Sequence, residues 1–278
     1  MAISKLCHLA SGSLARDALF LALALPATPL LAHEFWVEPG NYRPEADEVV
    51  PLKFYVGMAY HGDELPRYKS RIVEFSHFEP GAEEGKTVPG FEGQQAGLIR
   101  PHAPGLHLVA YKSTSTFVEL EPAKFRDYLL EEGLNSIAER RKELGESGKP
   151  GRELFARCPK TLIQVGDSGA AADGMRVMGF PLEIVPDVNP YALSVGDSLP
   201  VKVLSRGEPL AGALLVGFPR ENPEDKPEAR TGKDGRASLK LGYTGEWLIK
   251  TVSMERIDDP RADWQSWWGT ITFELPEK

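Results

Sequence analysis

Residues 50–56 read VPLKFYV and residues 199–203 read LPVKV, and this alternation of apolar and polar side chains decides the fold class. Because successive side chains of a β-strand point to opposite faces, alternation with period two predicts strands with one buried face. Gly and Pro separate many such runs, as in antiparallel sandwiches. The predicted strands are 49–56, 71–75, 97–100, 106–111 and 116–120 in one set, and 182–185, 198–204, 213–218, 237–241, 247–252 and 269–275 in a second.

The two sets of strands resemble each other at a shift of 149 residues. This shift pairs Tyr42 with Tyr191, and it aligns Pro51-Leu52-Lys53 with Pro200-Val201-Lys202. We therefore predict a mainly β fold made of two tandem immunoglobulin-like β-sandwich domains.

Between the two sets, the hydrophobic residues change to a helical spacing within a highly charged stretch. The residues at this spacing are Phe125, Tyr128, Leu129, Leu134, Ile137 and Leu144. Gly133 divides the stretch, which predicts two helical pieces. The predicted boundaries are 33–121 for the first sandwich, 122–180 for a helical insert with a connecting strand, and 181–278 for the second sandwich.

The first 32 residues have the pattern of a secretory signal peptide, with positive charges, an apolar run and then small residues. The residues of this pattern are Lys5, Arg16, 18–25, Ala27 and Ala32. We predict cleavage after Ala32, which makes His33 the first residue of the mature chain. Cleavage after Ala27 is the alternative, and it would leave His33 internal. The apolar run is shorter than the roughly 20 residues that span a bilayer, so we predict a periplasmic protein without membrane insertion after cleavage.

Charge, cysteine content and motifs exclude several classes of protein. The chain has a net charge of −8, which makes nucleic acid a poor partner. Cys158 is the only cysteine after residue 32, so the mature chain can form no internal disulfide and must rely on its core. The sequence contains no Gly-x-Ser-x-Gly, His-Glu-x-x-His or phosphate-binding glycine loop. We predict that the protein is not an enzyme.

Five stretches together resemble an exported bacterial family of unknown function. They are His33-Glu34-Phe35-Trp36-Val37-Glu38-Pro39, Phe125–Leu129 with Glu132-Gly133-Leu134, Arg152–Arg157, Leu182–Pro186 and Trp264–Thr270. The similarity extends over essentially the whole mature chain. The family has been described as a periplasmic component of nickel or cobalt uptake, so the resemblance implies a periplasmic, metal-associated protein.

A histidine at a free amino terminus offers two nitrogen ligands to one metal ion, the terminal amine and the imidazole. Both nitrogens suit Cu²⁺, Ni²⁺ or Co²⁺, and His33 is therefore the leading predicted ligand. Phe35, Trp36 and Val37 should fix the terminus against the first sandwich. Two nitrogens form only half of a site, so at least one further donor is required.

His102 and His107 are the predicted additional metal ligands. The loop 101–105 contains His102 and leads directly into the strand that contains His107, so both could lie near one edge. His107 also aligns with Trp247 in the internal repeat, and the alternative is that it fills the core. His61 and His77 are predicted to be exposed loop histidines.

These features predict a divalent transition-metal binding protein that acts in metal uptake or homeostasis and passes its ion to a membrane uptake system. The alternative is a non-catalytic envelope module that binds a glycan or a peptide, since Trp264, Trp267 and Trp268 could stack on sugars. A copper-dependent oxidase with the same amino-terminal chelate is a third interpretation.

Overall fold

The computed structural model describes residues 33–166 and 175–277, and the predicted signal peptide at 1–32 lies outside these residues. Strands account for 50% of the structure and helices for 11%, which confirms the mainly β class. Within the described ranges, no helix is long and apolar enough to cross a membrane.

The described part of the chain contains two α-helices between two series of strands. The elements are β1 (Glu34–Pro39), β2 (Val50–Met58), β3 (His61–Leu65), β4 (Ile72–Phe78), β5 (Lys86–Thr87), β6 (Gly97–Ile99), β7 (Gly105–Ser113), β8 (Thr116–Leu120), α1 (Pro122–Glu131), α2 (Asn135–Glu143), β9 (Gly151–Val165), β10 (Leu182–Pro186), β11 (Ser198–Ser205), β12 (Glu208–Pro209), β13 (Leu214–Pro219), β14 (Glu228–Arg230), β15 (Arg236–Lys240), β16 (Gly245–Asp259) and β17 (Ala262–Leu275).

Strand β2 shows how the alternating pattern folds. Every second side chain, at Val50, Leu52, Phe54 and Val56, is buried on one face, and the residues between them are less buried. β2 pairs with β1 along one edge and with β3 and β6 along the other, which gives a first small sheet of four strands.

The second small sheet repeats this arrangement in the second half of the chain. β11 pairs with β10 along one edge and with β12 and β15 along the other. The strands β10, β11, β12 and β15 therefore correspond to β1, β2, β3 and β6.

The remaining strands form one large sheet of nine strands in the order β14-β13-β16-β17-β9-β7-β4-β5, with β8 also paired to β9. This order is symmetric about its centre. Counted inward from one edge the strands are β14, β13, β16 and β17, and counted inward from the other edge the corresponding strands are β5, β4, β7 and β9. The halves meet where the corresponding strands β17 and β9 pair, and this pair is parallel.

The shared sheet changes the predicted domain picture. β9, predicted as a connecting strand, pairs with β7 on one side and with β17 on the other, so it joins the two halves through hydrogen bonds. Residues Leu31–Lys278 form one compact unit, and two separate tandem domains are not confirmed. The immunoglobulin-like topology stays a prediction.

The two small sheets cover opposite faces of the central sheet. On β7, Leu106 and Leu108 pack in the core beneath the second small sheet. Val109 and Tyr111 pack in the core beneath the first. Because neighbouring side chains of a strand point to opposite faces, the fold has three layers with the nine-stranded sheet in the middle.

Helices α1 and α2 lie against the central sheet through a third apolar cluster. Phe125, Tyr128 and Leu129 of α1 pack with Trp264 and Trp268 of β17. The turn between the helices requires glycine, because Gly133 has a φ of +70° and a Cβ there would lie 2.7 Å from the Cβ of Leu214.

Strand β1 is fastened to the central sheet by threonine hydroxyls. Thr270 donates to the carbonyl of Phe35 (2.8 Å), and Thr272 and Thr161 donate to the carbonyl of Val37 (3.0 and 2.7 Å). The first strand therefore lies across the last one, and contacts that begin two residues after His33 hold it there.

Candidate functional site

The structure separates His33 from the other two predicted ligands. Glu34 pairs with Gly57, so His33 lies beside the last residue of β2. His102 lies beyond the first residue of β2, where Asp47 donates its N–H to the carbonyl of Pro101. β2 has nine residues, and at about 3.3 Å per residue its ends are roughly 26 Å apart. His33 and His102 therefore belong to two different places.

Two buried polar atoms without partners lie at the amino end of β1. Nδ1 of His33 and Oε2 of Glu34 are both buried, and neither has a hydrogen-bond partner among the residues that the structure describes. Glu34 is only 4% exposed. Because native proteins pair nearly all of their buried polar atoms, each such atom requires an explanation. Both atoms lie at the amino end of β1, which makes this end of the strand a candidate site.

The other oxygen of Glu34 belongs to a buried group of three charges. Lys250 Nζ of β16 lies 2.9 Å from Glu34 Oε1 and 2.7 Å from Glu132 Oε1. Burial lowers the pKa of Lys250, but the two carboxylates outweigh this effect and the net shift is upward. Burial raises the pKa of Glu132, with Lys250 opposing the shift. The buried ammonium group of Lys250 therefore lies between two carboxyl groups.

Two further donors lie on the strands beside His33. The pairing of Glu34 with Gly57 places His33 next to Met58, and Met58 pairs with His61 of β3. Three neighbouring strands thus offer an imidazole, a thioether and a second imidazole in one row. We call His33, Glu34, Met58 and His61 the amino-terminal cluster.

A tight turn next to this row is held in a strained conformation. Ala59 and Tyr60 join β2 to β3, and both have positive φ, at 50° and 62°. Such a turn normally contains Gly or Asn, since a Cβ disfavours it. Tyr60 is nevertheless fully buried, with its ring against Trp36 and its hydroxyl 2.8 Å from that of Tyr42. These contacts fix the turn and hence the positions of Met58 and His61.

A cavity of about 150 Å³ opens beside the amino-terminal cluster. Glu34 and Met58 form part of its wall, together with residues of β13 and β16. Its exposed lining carries three carboxylates and one ammonium group: Glu131, Glu224, Glu228 and Lys226. An acidic opening of this kind raises the local concentration of cations.

Within the described ranges, no three His, Cys, Asp or Glu side chains are arranged as a metal site. A site at the amino end of β1 would therefore need donors of another kind. The Met58 thioether is one such donor. The amine of residue 33 would be a second, if the chain is cut before it.

The other two predicted ligands lie together at the far end of β2, near a histidine that the sequence did not favour. His102 is exposed, and its ring forms a hydrogen bond with the carboxyl group of Asp47. His107 is fully buried, and its Nδ1 lies 3.0 Å from Nε2 of His77 on β4. His77 is 5% exposed, so its prediction as an exposed loop histidine is wrong.

His77 and His107 form a buried histidine pair, and their hydrogen bonds determine which ring nitrogens carry protons. His107 Nε2 lies 2.8 Å from the carbonyl of Ala103, which can only accept, so Nε2 is the N–H of His107. Nδ1 of His107 must then accept from Nε2–H of His77. Nδ1 of His77 is left as an acceptor. Burial, reinforced by the neighbouring His107, lowers the pKa of His77 to about 4, which keeps the ring neutral at pH 7.

Comparisons with known proteins identify a family. A family model described as a domain of unknown function, DUF4198, matches residues 30–255. The chain belongs to the DUF4198 family. No match was found among curated proteins.

Three solved structures show weak similarity to this DUF4198 chain. A tetra-tandem repeat from the extending region of a large adhesion protein is 12% identical, with a TM-score of 0.21, and the match covers 87% of this chain and 49% of that one. The D0-D1 domain of intimin is 10% identical, with a TM-score of 0.20 and coverage of 86% and 97%. The D00-D0 domain of intimin is 10% identical, with a TM-score of 0.18 and coverage of 88% and 100%. The chain thus spans about half of the adhesion-protein structure.

The interior of the DUF4198 chain contains Trp264, Trp268 and Cys158. Trp264 and Trp268 are buried, so they form no exposed platform for a sugar. Cys158 is buried too, and burial raises the pKa of its thiol to about 12, which leaves it protonated and unreactive at pH 7.

Proposed function

We propose that this DUF4198 protein is an exported, periplasmic protein in which two immunoglobulin-like sandwiches, joined by a shared sheet, hold a transition-metal ion at His33. The observation that carries the proposal is the pair of consecutive buried atoms without partners, Nδ1 of His33 and Oε2 of Glu34. A metal ion would satisfy Nδ1 of His33.

The chemistry of the donors supports copper more than nickel or cobalt. After cleavage before residue 33, the terminal amine and Nδ1 of His33 could close a chelate ring on one ion. Met58 lies in the adjacent position on β2, and thioether sulfur selects Cu⁺ over harder ions. Glu34 adds one oxygen donor. Nickel or cobalt, which the family description implies, would use the nitrogen and oxygen donors without the sulfur.

The proposed role is to bind the ion outside the cytoplasm and pass it to a membrane uptake or homeostasis system. Glu131, Glu224 and Glu228 line the cavity beside the cluster, which supports entry and exit of the ion on this side. Neither catalysis nor a nucleic-acid partner is part of the proposal. The sugar-binding alternative is not favoured, because two of its three tryptophans are buried.

The test begins with the full chain, including residues 1–32, expressed in a bacterium and purified from the periplasm. Intact mass should show His33 as the first residue. This material is titrated with Cu⁺, Cu²⁺, Ni²⁺ and Co²⁺ beside the variants His33→Ala and His102→Ala. His102 is the matched control, because it is exposed and lies roughly 26 Å away along β2.

The His33→Ala variant should lose at least about tenfold in copper affinity, as expected for removal of a metal ligand. His102→Ala should bind copper like the unmodified chain. A mature chain that starts at Thr28, or equal copper affinity of the His33→Ala variant and the unmodified chain, would contradict the proposal.

A further inference from the structure

The buried histidine pair opens onto a cavity that the proposed function does not use. A cavity of about 350 Å³ is lined by His77, Glu79, Glu84 and Lys86, together with the turn 80–82. His77 is 95% buried, since only 5% of it is exposed. The cavity wall therefore consists of a nearly inaccessible imidazole below and two carboxylates with one ammonium group nearer the surface.

The ring of His77 is already oriented as a ligand. His107 accepts the Nε2–H of His77 at 3.0 Å, and the carbonyl of Ala103 fixes the proton of His107. Nδ1 of His77 therefore presents a lone pair. In the described part of the chain, no protein group donates a hydrogen bond to that nitrogen. Metal-binding histidines are commonly held in this way, with the second ring nitrogen donating to a fixed acceptor.

The carboxylate of Glu79 is placed to complete the ligand set. Its Oε2 accepts the N–H of Ala103 at 3.3 Å, which ties Glu79 to the same loop that fixes His107. Its Oε1 is occupied by Lys86 Nζ at 2.8 Å. Lys86 is highly exposed, so its ammonium group can leave for solvent when a dication takes its place.

We propose that His77 and Glu79 form a second site for a divalent transition-metal ion, with Lys86 as a displaceable internal cation. Imidazole nitrogen with carboxylate oxygen suits Zn²⁺, and water molecules would fill the remaining positions. The site lies at the opposite end of β2 from the amino-terminal cluster. It depends on neither the cleavage site nor the proposed function.

The experiment uses the full-length chain with His33→Ala, which removes the other candidate site, and measures Zn²⁺ binding by calorimetry. About one equivalent of Zn²⁺ should bind. Adding Glu79→Gln should weaken binding about tenfold or more. Adding Lys86→Met should tighten it severalfold, because the competing ammonium group is gone. Lys53→Met is the matched control for removal of an exposed lysine, since Lys53 pairs with Glu64 elsewhere, and it should leave Zn²⁺ affinity unchanged.

Glu79→Gln should weaken Zn²⁺ binding and Lys86→Met should tighten it, and a purely structural role would not give these opposite changes. Both side chains lie near the surface, so both variants should fold. His77→Gln should abolish binding, with circular dichroism as the check on folding. Absence of Zn²⁺ binding in the His33→Ala chain would overturn the inference. So would equal affinities of the Glu79→Gln and Lys86→Met chains. Loss of copper binding at His33 would leave this result untouched, so the two proposals fail separately.

Discussion

Strands β1 and β10 occupy corresponding positions in the two halves, and each carries a buried glutamate paired with a lysine of the central sheet. Glu183 of β10 pairs with Lys160 of β9 at 3.1 Å, and Glu34 of β1 pairs with Lys250 of β16 at 2.9 Å. The two pairs differ in how completely their oxygens are satisfied.

Glu183 has a complete set of partners. Besides Lys160, it accepts the backbone N–H groups of Met178 (2.8 Å) and Phe180 (2.9 Å). Oε2 of Glu34 has none. A buried carboxylate with all partners in place fastens a small sheet to the central sheet. In the described part of the chain, the carboxylate of Glu34 lacks this complete set of partners.

Breaking the complete pair should give the largest effect. Lys160→Ala would leave the Glu183 carboxylate buried without a counter-charge, and such changes cost about 3–5 kcal/mol. Urea denaturation at pH 7 measures the loss. The double variant Lys160→Met with Glu183→Gln is the control and should recover most of the stability. A cost below about 1 kcal/mol for the single change would show that the pair does not fasten the sheet.

The carboxyl group of Glu153 is also buried, but its hydrogen-bond partners are neutral hydroxyl groups. Glu153 accepts hydrogen bonds from the hydroxyls of Tyr128 and Ser266, and burial raises its pKa from 4.5 to about 7. The folded state therefore holds a proton that the unfolded state releases, and stability falls as pH rises from 4.5 to 7. The loss by pH 8 should be about 3 kcal/mol.

Glu153→Gln should remove this dependence, and thermal or urea unfolding between pH 5 and 8 would show it. His77 contributes in the opposite direction at lower pH. Its lowered pKa means that stability is lost as pH falls from 6.5 towards 4. His77 is unchanged in the variant, so the difference between the two pH profiles isolates Glu153. Parallel profiles would exclude a buried proton on this residue.

Glu34→Gln should cost much less stability than the change at Lys160. Lys250 keeps Glu132 as a partner at 2.7 Å, and the substitution keeps the shape of the side chain. We expect a loss of about 1 kcal/mol in the free energy of unfolding, with a loss of about tenfold in copper affinity. Chemical denaturation and metal titration on one sample separate the two. Unchanged affinity would remove Glu34 from the proposed site.

The smallest effect should come from an exposed pair on the first small sheet. Lys53 lies 2.9 Å from Glu64, and both side chains are about 40% exposed. Lys53→Ala should change the free energy of unfolding by no more than about 0.5 kcal/mol, because water screens the pair. A larger loss would show that location on a small sheet, rather than burial, sets the strength of these pairs.

Local pattern was sufficient to predict the fold class. The alternation in β2 and the change of period at Phe125 both depend on neighbouring residues, and the structure has strands and helices there. The parallel pairing of β9 with β17 was not predictable, since it joins residues more than a hundred positions apart and leaves no mark on either sequence.

The candidate site was predicted only in part for the same reason. The sequence indicated His33 through its place after an apolar segment, but it grouped His33 with His102 and His107, which the pairing of β2 keeps apart. It missed Met58, which strand pairing alone brings next to residue 33. Glu34 did leave a signal, because it is a charged residue that begins a run of buried ones.

The hydrogen bonds between β1 and β17 also constrain when the protein can fold. The carbonyls of Phe35 and Val37 accept hydrogen bonds from the hydroxyls of Thr270 and Thr272, which lie 235 residues later in the chain. Domains usually acquire structure from the amino terminus as the ribosome proceeds. The hydrogen bonds that fasten β1 to β17 can therefore form only after residues 270–272 have been synthesised.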